Sequence, residues 1–329
     1  MSAPRILFVV NAGPSVGGGH FMRSLNLARA LEAGGAACAF AGPPALDALI
    51  DAFAPGAARA TIADATGFNA VVFDHYGLAA PDHRAIAEGR PTLVVDDLAD
   101  RLLAADLVVD AGLSRTAADY AGLVPSQAEL LLGPNHAALS PAFAALRAEA
   151  LARRAATPGV HRVMVSLGLT DVGGITARVV SALLPVLGER ALDVVAGGAA
   201  PSLPALRDMA DPRLTLHIDT RDMPALTAAA DLAIGAAGSS SWERCVLGLP
   251  ALSLVLADNQ REAAAALSDR GAHLALGADD LRALPAAFQA LADDPVARAT
   301  MSAAAAGVCD GAGAARTAGR FLALIGATR

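Results

Sequence analysis

The chain has 329 residues, enough for two domains of ordinary size. It is 54% hydrophobic and 17% charged, which indicates a globular rather than a disordered protein. The formal net charge of −7 argues against nucleic acid or an anionic membrane as a partner, since both require a basic face. Every basic residue is arginine, and the absence of lysine excludes Schiff-base, pyridoxal phosphate and P-loop chemistry.

The cysteines and apolar runs indicate the compartment. Cys38, Cys245 and Cys309 lie far apart and form no Cys-x-x-Cys pair, so we expect neither a disulfide framework nor a zinc site. The N-terminus leads directly into a predicted strand, and the apolar run 245–257 is too short to span a bilayer. We therefore expect a cytoplasmic protein that does not insert into a membrane.

The first half of the chain alternates strands with helices. An apolar strand is predicted over residues 6–10, and a glycine-rich loop then leads into a helix that begins at His20 and ends at Gly34-Gly35. Ligand sites gather at the carboxyl ends of strands in such doubly wound sheets, so polar residues after each strand are candidates. The further strands are predicted at residues 38–41, 70–73, 92–95, 107–109 and 130–132.

The second half repeats this alternation. A helix over residues 141–156 and a short linker precede it, and two alanine-rich helices follow Asp293. The sequence therefore predicts an α/β chain of two Rossmann-like doubly wound domains that face a central cleft, with residues 1–157 in one and residues 158–329 in the other. The strands of the second series are predicted at residues 162–167, 192–195, 214–217, 232–234, 252–256 and 273–276.

The stretch 231–250 has the pattern of a phosphate site. A short strand ends at Ile234 and is followed by a turn of small residues, Gly235 to Gly238. Three hydroxyl residues then open a helix: Ser239, Ser240 and Ser241. Glycines allow close approach of the backbone, and a helix N-terminus offers unpaired N–H donors and a partial positive charge.

Two neighbouring motifs each have two interpretations. Glu243 matches either a capping box with Ser240 or a carboxylate that accepts hydrogen bonds from ribose hydroxyls. Asn259 and Gln260 follow the strand that ends at Leu256. Neutral amides suit hydroxyl or N-acetyl recognition, but an asparagine before a helix is also a good N-cap.

His20 is the candidate general base. It stands at a loop-to-helix junction, where the helix N-terminus disfavours the imidazole cation and so favours the neutral form that a base requires. The alternative role, an N-terminal cap, suits histidine poorly. Asp74 and Tyr76 end another strand on the same sheet edge. The pair Asp96-Asp97 is interpreted as solvated or as a helix start rather than as a metal site.

Taken together, these motifs resemble one enzyme family. The motifs are Gly18-Gly-His-Phe-Met-Arg23, Asp74-His-Tyr76, the segment 234–250 and the segment 257–260. They resemble the UDP-sugar hydrolase of bacterial pseudaminic acid biosynthesis, which releases 2,4-diacetamido-2,4,6-trideoxy-β-L-altrose from its UDP carrier. Asp310-Gly311 and the following Arg316 are also similar to that family.

The resemblance implies a GT-B fold, related to the glycosyltransferase that forms lipid II. It also implies an inverting, metal-independent hydrolysis without a cofactor. UDP would bind the second domain, and the sugar would face the first. We expect a UDP-sugar as the partner and a monomer or weak homo-oligomer. The alternatives are a GT-B glycosyltransferase that uses a UDP-sugar donor and a non-catalytic UDP-sugar-binding protein.

The resemblance also assigns roles to individual residues. His20 would be the general base, and the other catalytic residues would be Asn259, Tyr76 and Asp74. The substrate-binding residues would be Gly18, Gly19, Arg23, Gly168, Ile234, Gly238, Ser239, Ser240, Ser241, Glu243 and Gln260.

Overall fold

The computed structural model describes residues 3–13, 16–277 and 281–327. The chain forms two compact units, Met1–Leu139 with Ala312–Arg329 and Ser140–Gly311. The predicted boundary after residue 157 lies inside the second unit, because the helix that precedes it packs on second-unit helices. The side chains of Arg153 and Arg154 also donate hydrogen bonds to the Ala230 carbonyl.

The first unit contains a parallel sheet of seven strands among its described residues, in the order β3-β2-β1-β4-β5-β6-β7. Its strands are β1 Arg5–Val10, β2 Ala37–Ala41, β3 Ala58–Arg59, β4 Ala70–Asp74, β5 Thr92–Val95, β6 Leu107–Asp110 and β7 Glu129–Leu132. Its helices are α1 Gly19–Ala33, α2 Ala45–Phe53, α3 Ala80–Ala87 and, from the end of the chain, α12 Gly313–Ala327. Helix α12 belongs to this unit because it packs on α1.

The second unit contains a parallel sheet of six strands among its described residues, in the order β10-β9-β8-β11-β12-β13. Its strands are β8 Arg162–Ser166, β9 Ala191–Ala196, β10 Leu214–Ile218, β11 Leu232–Ala236, β12 Ala251–Val255 and β13 Leu274–Gly277. Its helices are α4 Pro141–Ala156, α5 Ile175–Leu183, α6 Leu203–Asp208, α7 Met223–Ala229, α8 Ser240–Val246, α9 Arg261–Asp269, α10 Leu284–Asp293 and α11 Pro295–Ala306.

Both predicted alternations of strands and helices are confirmed. Each predicted strand is present with its ends within two residues of the observed bounds, and only the two-residue edge strand β3 was not predicted. The central strands are continuous apolar runs because helices cover both faces of a parallel sheet. Residues 6–10, for example, are at most 1% exposed. No helix within the described ranges is both long and apolar enough to cross a bilayer.

The strand order of each sheet reverses direction once, which marks the place where ligands bind in open α/β sheets. In the first unit the reversal lies between β1 and β4, where Val10 is paired with Asp74. In the second unit it lies between β8 and β11, where Ser166 is paired with Gly235. The candidate residues named from sequence lie at or after the ends of these four strands, except Ile234, which lies inside β11, and Asn259 and Gln260, which follow the neighbouring strand β12.

Candidate active site

A histidine–aspartate pair lies at the carboxyl edge of the first sheet. His20 is the second residue of α1 and is 4% exposed, and Asp74 is the last residue of β4 and is fully buried. His20 Nδ1 lies 2.5 Å from Asp74 Oδ1. An ionised carboxylate can only accept, so Nδ1 carries a proton, and in the neutral ring the lone pair is then on Nε2. No described residue forms a hydrogen bond with Nε2. This leaves Nε2 available as a base.

Arg23 fixes the aspartate of this pair. Its Nε and Nη2 groups donate to the two oxygens of Asp74 at 2.7 and 2.6 Å, a bidentate arrangement. Ser24 Oγ donates a further bond of 3.0 Å to the same carboxylate. Burial acts to raise the pKa of Asp74, but the charges of Arg23 and His20 outweigh it and hold that pKa well below its ordinary value. Asp74 is therefore a carboxylate at neutral pH.

Asp97 extends the network, and this corrects the sequence interpretation of the Asp96-Asp97 pair. Asp97 Oδ2 accepts hydrogen bonds from Arg23 Nη1 at 2.8 Å and from the Tyr76 hydroxyl at 3.0 Å. The Tyr76 ring lies edge-on to the His20 ring, with centroids 4.4 Å apart. Burial and the Asp97 charge raise the pKa of Tyr76 above its ordinary value, so its hydroxyl stays protonated and donates.

Asp96 is likewise neither solvated nor a helix start. It is 1% exposed, and its carboxylate accepts from Arg101 Nη1 at 2.8 Å and is 2.9 Å from the Tyr120 hydroxyl. The same hydroxyl lies 2.8 Å from Asp110 at the end of β6. Burial raises the pKa of Asp110. The strand ends β5 and β6 thus form a second, buried arginine–aspartate–tyrosine cluster beside the first.

The turn after β11 presents unpaired backbone donors. Helix α8 begins at Ser240, and Ser239 caps it without a side-chain hydrogen bond. The first paired backbone N–H groups of the helix are those of Ser241 and Trp242. No described residue accepts a hydrogen bond from the N–H groups of residues 238–240. Consecutive free N–H groups at a helix N-terminus bind anions, which fits the predicted phosphate site.

A buried arginine supports this turn, and the sequence interpretation had not assigned it a role. The Arg244 guanidinium is 3% exposed and donates to the hydroxyls of Ser240 and Ser241 at 3.1 and 3.0 Å. It also donates to the Ala236 carbonyl at 2.8 Å. A methyl group on Gly235 would lie 2.3 Å from the guanidinium, so any larger residue at that position would require Arg244 to move. Arg244 forms no salt bridge with a described carboxylate, and the charge of the neighbouring Glu243 acts on it without direct contact.

Glu243 does not form the capping box that was one of its two interpretations. The structure contains no hydrogen bond between its carboxylate and the Ser240 backbone, or between that carboxylate and any other described residue. The side chain is half-buried, and burial raises its pKa to about 7, against a smaller opposite effect of Arg244. An acceptor without a partner among the described residues, beside the predicted phosphate turn, is available to bind a ligand hydroxyl.

The remaining predicted residues of the second unit flank the same turn. Gly168 follows β8 with φ of +98°, a backbone conformation that requires glycine, and Ile234 is buried in β11. Gln260 accepts a bond from the Leu256 N–H at 2.9 Å, and its amide nitrogen lies near Gly238. Asn259 is exposed and does not cap α9, whose cap residue is Gln260.

The predicted residues therefore form two groups, one in each unit. The first unit brings together His20, Arg23, Asp74 and Tyr76, with Gly18 and Gly19 at the start of α1. The second unit gathers the turn residues, Glu243, Gly168 and Gln260 at neighbouring strand ends. Asn259, predicted as catalytic with His20, belongs to the second unit. Sequence reasoning assigned no role in the site to Asp97, which it had named only as part of the Asp96-Asp97 pair, or to Arg244, which stands beside Glu243.

Comparison with known proteins agrees with this architecture. A model of the glycosyltransferase family 28 C-terminal domain matches residues 214–316. The spore coat polysaccharide biosynthesis protein SpsG of Bacillus subtilis (strain 168) is 31% identical over 153 residues, which cover 45% of this chain and 44% of SpsG. The match thus spans less than half the length of that relative.

Solved structures match over nearly the whole chain. MurG of Acinetobacter baumannii superposes with a TM-score of 0.66 at 16% identity, covering 97% of this chain and 99% of MurG. S. aureus MnaA, solved with UDP, gives a TM-score of 0.63 at 14% identity over 96% of this chain and 95% of MnaA. The chain therefore has the predicted GT-B fold with two Rossmann-like domains.

Proposed function

We propose that this chain hydrolyses the anomeric C–O bond of a UDP-sugar, with His20 as the general base. The observation that carries the proposal is the buried His20–Asp74 pair, whose geometry orients the imidazole and leaves Nε2 unengaged. In the proposed reaction Nε2 takes a proton from a water molecule. The water oxygen bonds to the anomeric carbon from the face opposite UDP, and UDP departs with the electron pair of the broken bond. The configuration at that carbon inverts.

Asp74 and the turn at residues 235–241 would each stabilise a charge that develops in this reaction: the positive charge on His20 and the negative charge on the departing diphosphate. The Asp74 carboxylate stabilises the imidazolium that forms on His20. In the second unit, the free N–H groups of residues 238–240 and the seryl hydroxyls would bind the diphosphate. The buried Arg244 adds positive charge beneath that site. Glu243 would accept hydrogen bonds from the ribose; the absence of a hydrogen-bond partner for its carboxylate among residues 3–13, 16–277 and 281–327 supports this role.

The resemblance of the motifs narrows the substrate. It points to UDP-2,4-diacetamido-2,4,6-trideoxy-β-L-altrose, with the free sugar then used for pseudaminic acid in flagellin or surface glycans. Relatedness to SpsG, a polysaccharide biosynthesis protein, supports a role in sugar metabolism at a coarser level. Tyr76, Asn259, Gly18 and Gly19 would contact the sugar or the reacting water.

One observation favours a second candidate function. The glycosyltransferase family 28 C-terminal domain matches the proposed nucleotide-binding half, so the same site could deliver the sugar to an acceptor other than water. Incubation of the purified chain with the UDP-sugar and no acceptor separates the two. A hydrolase releases UDP together with free sugar of inverted configuration, and NMR of the reaction mixture detects both products. A transferase releases neither until an acceptor is added, and a binding protein never does.

His20→Asn tests the role of the base. A positioned base contributes roughly 10²–10⁴-fold to the rate, so we expect kcat to fall by that factor while the affinity for UDP stays unchanged in calorimetry. His217→Asn is the matched control, because His217 also pairs with a buried aspartate, Asp193, at 2.8 Å. Equal losses of turnover and UDP affinity in His20→Asn would assign His20 a structural role instead.

A further inference from the structure

We propose that Asp97 is a positioning residue that sets the basicity of His20 through Arg23 and orients Tyr76 beside it. The inference rests on the proposed function, since it assigns Asp97 a role in the same reaction. It comes from geometry: one carboxylate oxygen of Asp97 accepts from both Arg23 and Tyr76, and each of these two side chains also contacts the His20–Asp74 pair.

The first step of the argument is the charge balance of the network. Arg23 lies between two carboxylates, 2.6 Å from Asp74 and 2.8 Å from Asp97. The three groups together carry one net negative charge. Protonation of His20 during the reaction would make the network neutral. Without Asp97, the arginine charge would already cancel that of Asp74, and the imidazolium would gain less stabilisation.

The second step is the placement of Asp97. Its other oxygen, Oδ1, is buried and has no hydrogen-bond partner among the described residues. The described donors to the side chain are therefore Arg23 and Tyr76. Burial acts to raise the pKa of Asp97, but Arg23 and the Tyr76 hydroxyl lower it, so the carboxylate is ionised at neutral pH.

Other charged and titratable groups surround the same edge of the sheet. Arg115 donates to the backbone carbonyl of Asp97, and the charges of His20 and His75 interact. The groups that face His20 and Asp97 are Arg23 from α1, Asp74, His75 and Tyr76 from the end of β4, and Asp110 with Arg115 from the end of β6. Asp97→Asn leaves all of them in place and removes one charge.

The test compares two isosteric variants of the intact chain, Asp97→Asn and Asp96→Asn. Asp96 is a matched control, because it also lies within hydrogen-bond distance of one arginine and one tyrosine, neither of which contacts His20. For Asp97→Asn we expect kcat to fall about tenfold, less than the loss of the base itself. The KM should change little. The acidic limb of the kcat profile should move to lower pH by about one pH unit, since a neighbouring charge has been lost.

A second readout does not depend on turnover. The His20 imidazole resonance can be followed by NMR against pH in the ligand-free protein. Its titration midpoint should lie at lower pH in Asp97→Asn than in the native chain, and it should be the same in Asp96→Asn as in the native chain. An unchanged titration in Asp97→Asn, or an equal displacement in Asp96→Asn, would overturn the inference. If the native chain releases no sugar but the NMR displacement is present, the proposed hydrolysis fails while the coupling of Asp97 to His20 stands.

Discussion

The carboxyl ends of the two sheets differ in how their polar groups are paired. At the first, side chains satisfy one another: His20, Arg23, Asp74 and Asp97 exchange charge-assisted hydrogen bonds. Among the described residues, His20 Nε2 and Asp97 Oδ1 are left without a hydrogen-bond partner. At the second, the main donors are backbone N–H groups without described acceptors, and the nearby carboxylate of Glu243 has no hydrogen-bond partner in the described part of the chain.

This difference separates two chemical tasks. A closed network of charges fixes the orientation and charge state of one nitrogen, which is what proton transfer requires. An open set of donors over a buried cation binds an anion, and its hydrogen bonds are completed only by the ligand. On this assignment, variants at the first edge should lower turnover without lowering nucleotide affinity. Variants at the second edge should lower nucleotide affinity without a comparable loss of turnover at saturating substrate.

The largest expected effect is at Asp74. Asp74→Asn removes the charge that orients and stabilises the imidazolium, so we expect kcat to fall roughly 10²–10⁴-fold with UDP affinity unchanged. The chain should also lose stability, since removing one member of a buried ion pair typically costs about 3–5 kcal/mol. Steady-state kinetics, calorimetry and chemical denaturation measure the three quantities.

Asp193→Asn provides the control for this prediction. Asp193 pairs with His217 and with Arg162, both at 2.8 Å, so it has the same types of partner, but it lies within strand β9 and away from the carboxyl ends of the second sheet. We expect a loss of stability there with kcat retained. Comparable kcat losses in the two variants would mean that the first network acts on folding rather than on chemistry.

A pair of glycines tests the second edge. Gly238→Ala places its methyl group 3.6 Å from the Gln260 amide, an ordinary contact, so the chain should fold normally. The methyl group would nevertheless occupy the surface that a diphosphate approaches, and we expect UDP affinity to fall about tenfold. In Gly235→Ala the methyl group would displace the Arg244 guanidinium, which we expect to cost about 2–4 kcal/mol of stability through lost buried hydrogen bonds. Native UDP affinity in Gly238→Ala would contradict a phosphate site at this turn.

The comparison also shows what sequence can and cannot reveal. The strands were predictable because apolar runs and glycine-rich turns are local patterns, and the phosphate turn is itself one such segment. For His20 and Asp74 the sequence predicted only that both lie at the same edge of one sheet, not that they form a hydrogen bond. Asp97 was misread because its partner Arg23 lies 74 positions away in the chain. Spacing along the chain carries no information about such an ion pair.

The burial of Arg244 was not predicted from the sequence for a different reason. An arginine on a short helix beside a glutamate is usually exposed, and only the packing of its guanidinium against Gly235 shows that it is buried. Likewise, Ser240 and Glu243 have the spacing of a capping box, but the structure does not form one. Local patterns name the residues, whereas tertiary packing decides which partner each one takes.

The smallest expected effect concerns pH and Glu243. Because burial raises the pKa of Glu243 to about 7, its ionised fraction changes most between pH 6 and 8. A charged acceptor binds ribose hydroxyls more strongly than a protonated one, so UDP affinity should rise a few-fold from pH 6 to pH 8. Glu243→Gln should reduce this dependence to the part that comes from the terminal phosphate of UDP, whose own second pKa is about 6. Glu149→Gln, a variant of an exposed carboxylate in the same unit, should retain the full dependence. An affinity that falls with pH would show that repulsion of the diphosphate outweighs ribose binding.

The same group makes a separate prediction for stability. A carboxyl group whose pKa is raised on folding binds more protons in the folded than in the unfolded state, between its ordinary pKa and about pH 7. Its contribution therefore becomes less favourable as pH rises through that window. Glu243→Gln removes the cost of burying the charge, so the variant should gain stability relative to the native chain at pH 8 but not at pH 4. Denaturation at the two pH values measures the difference, and an equal change at both would mean that Glu243 is not desolvated in the folded protein.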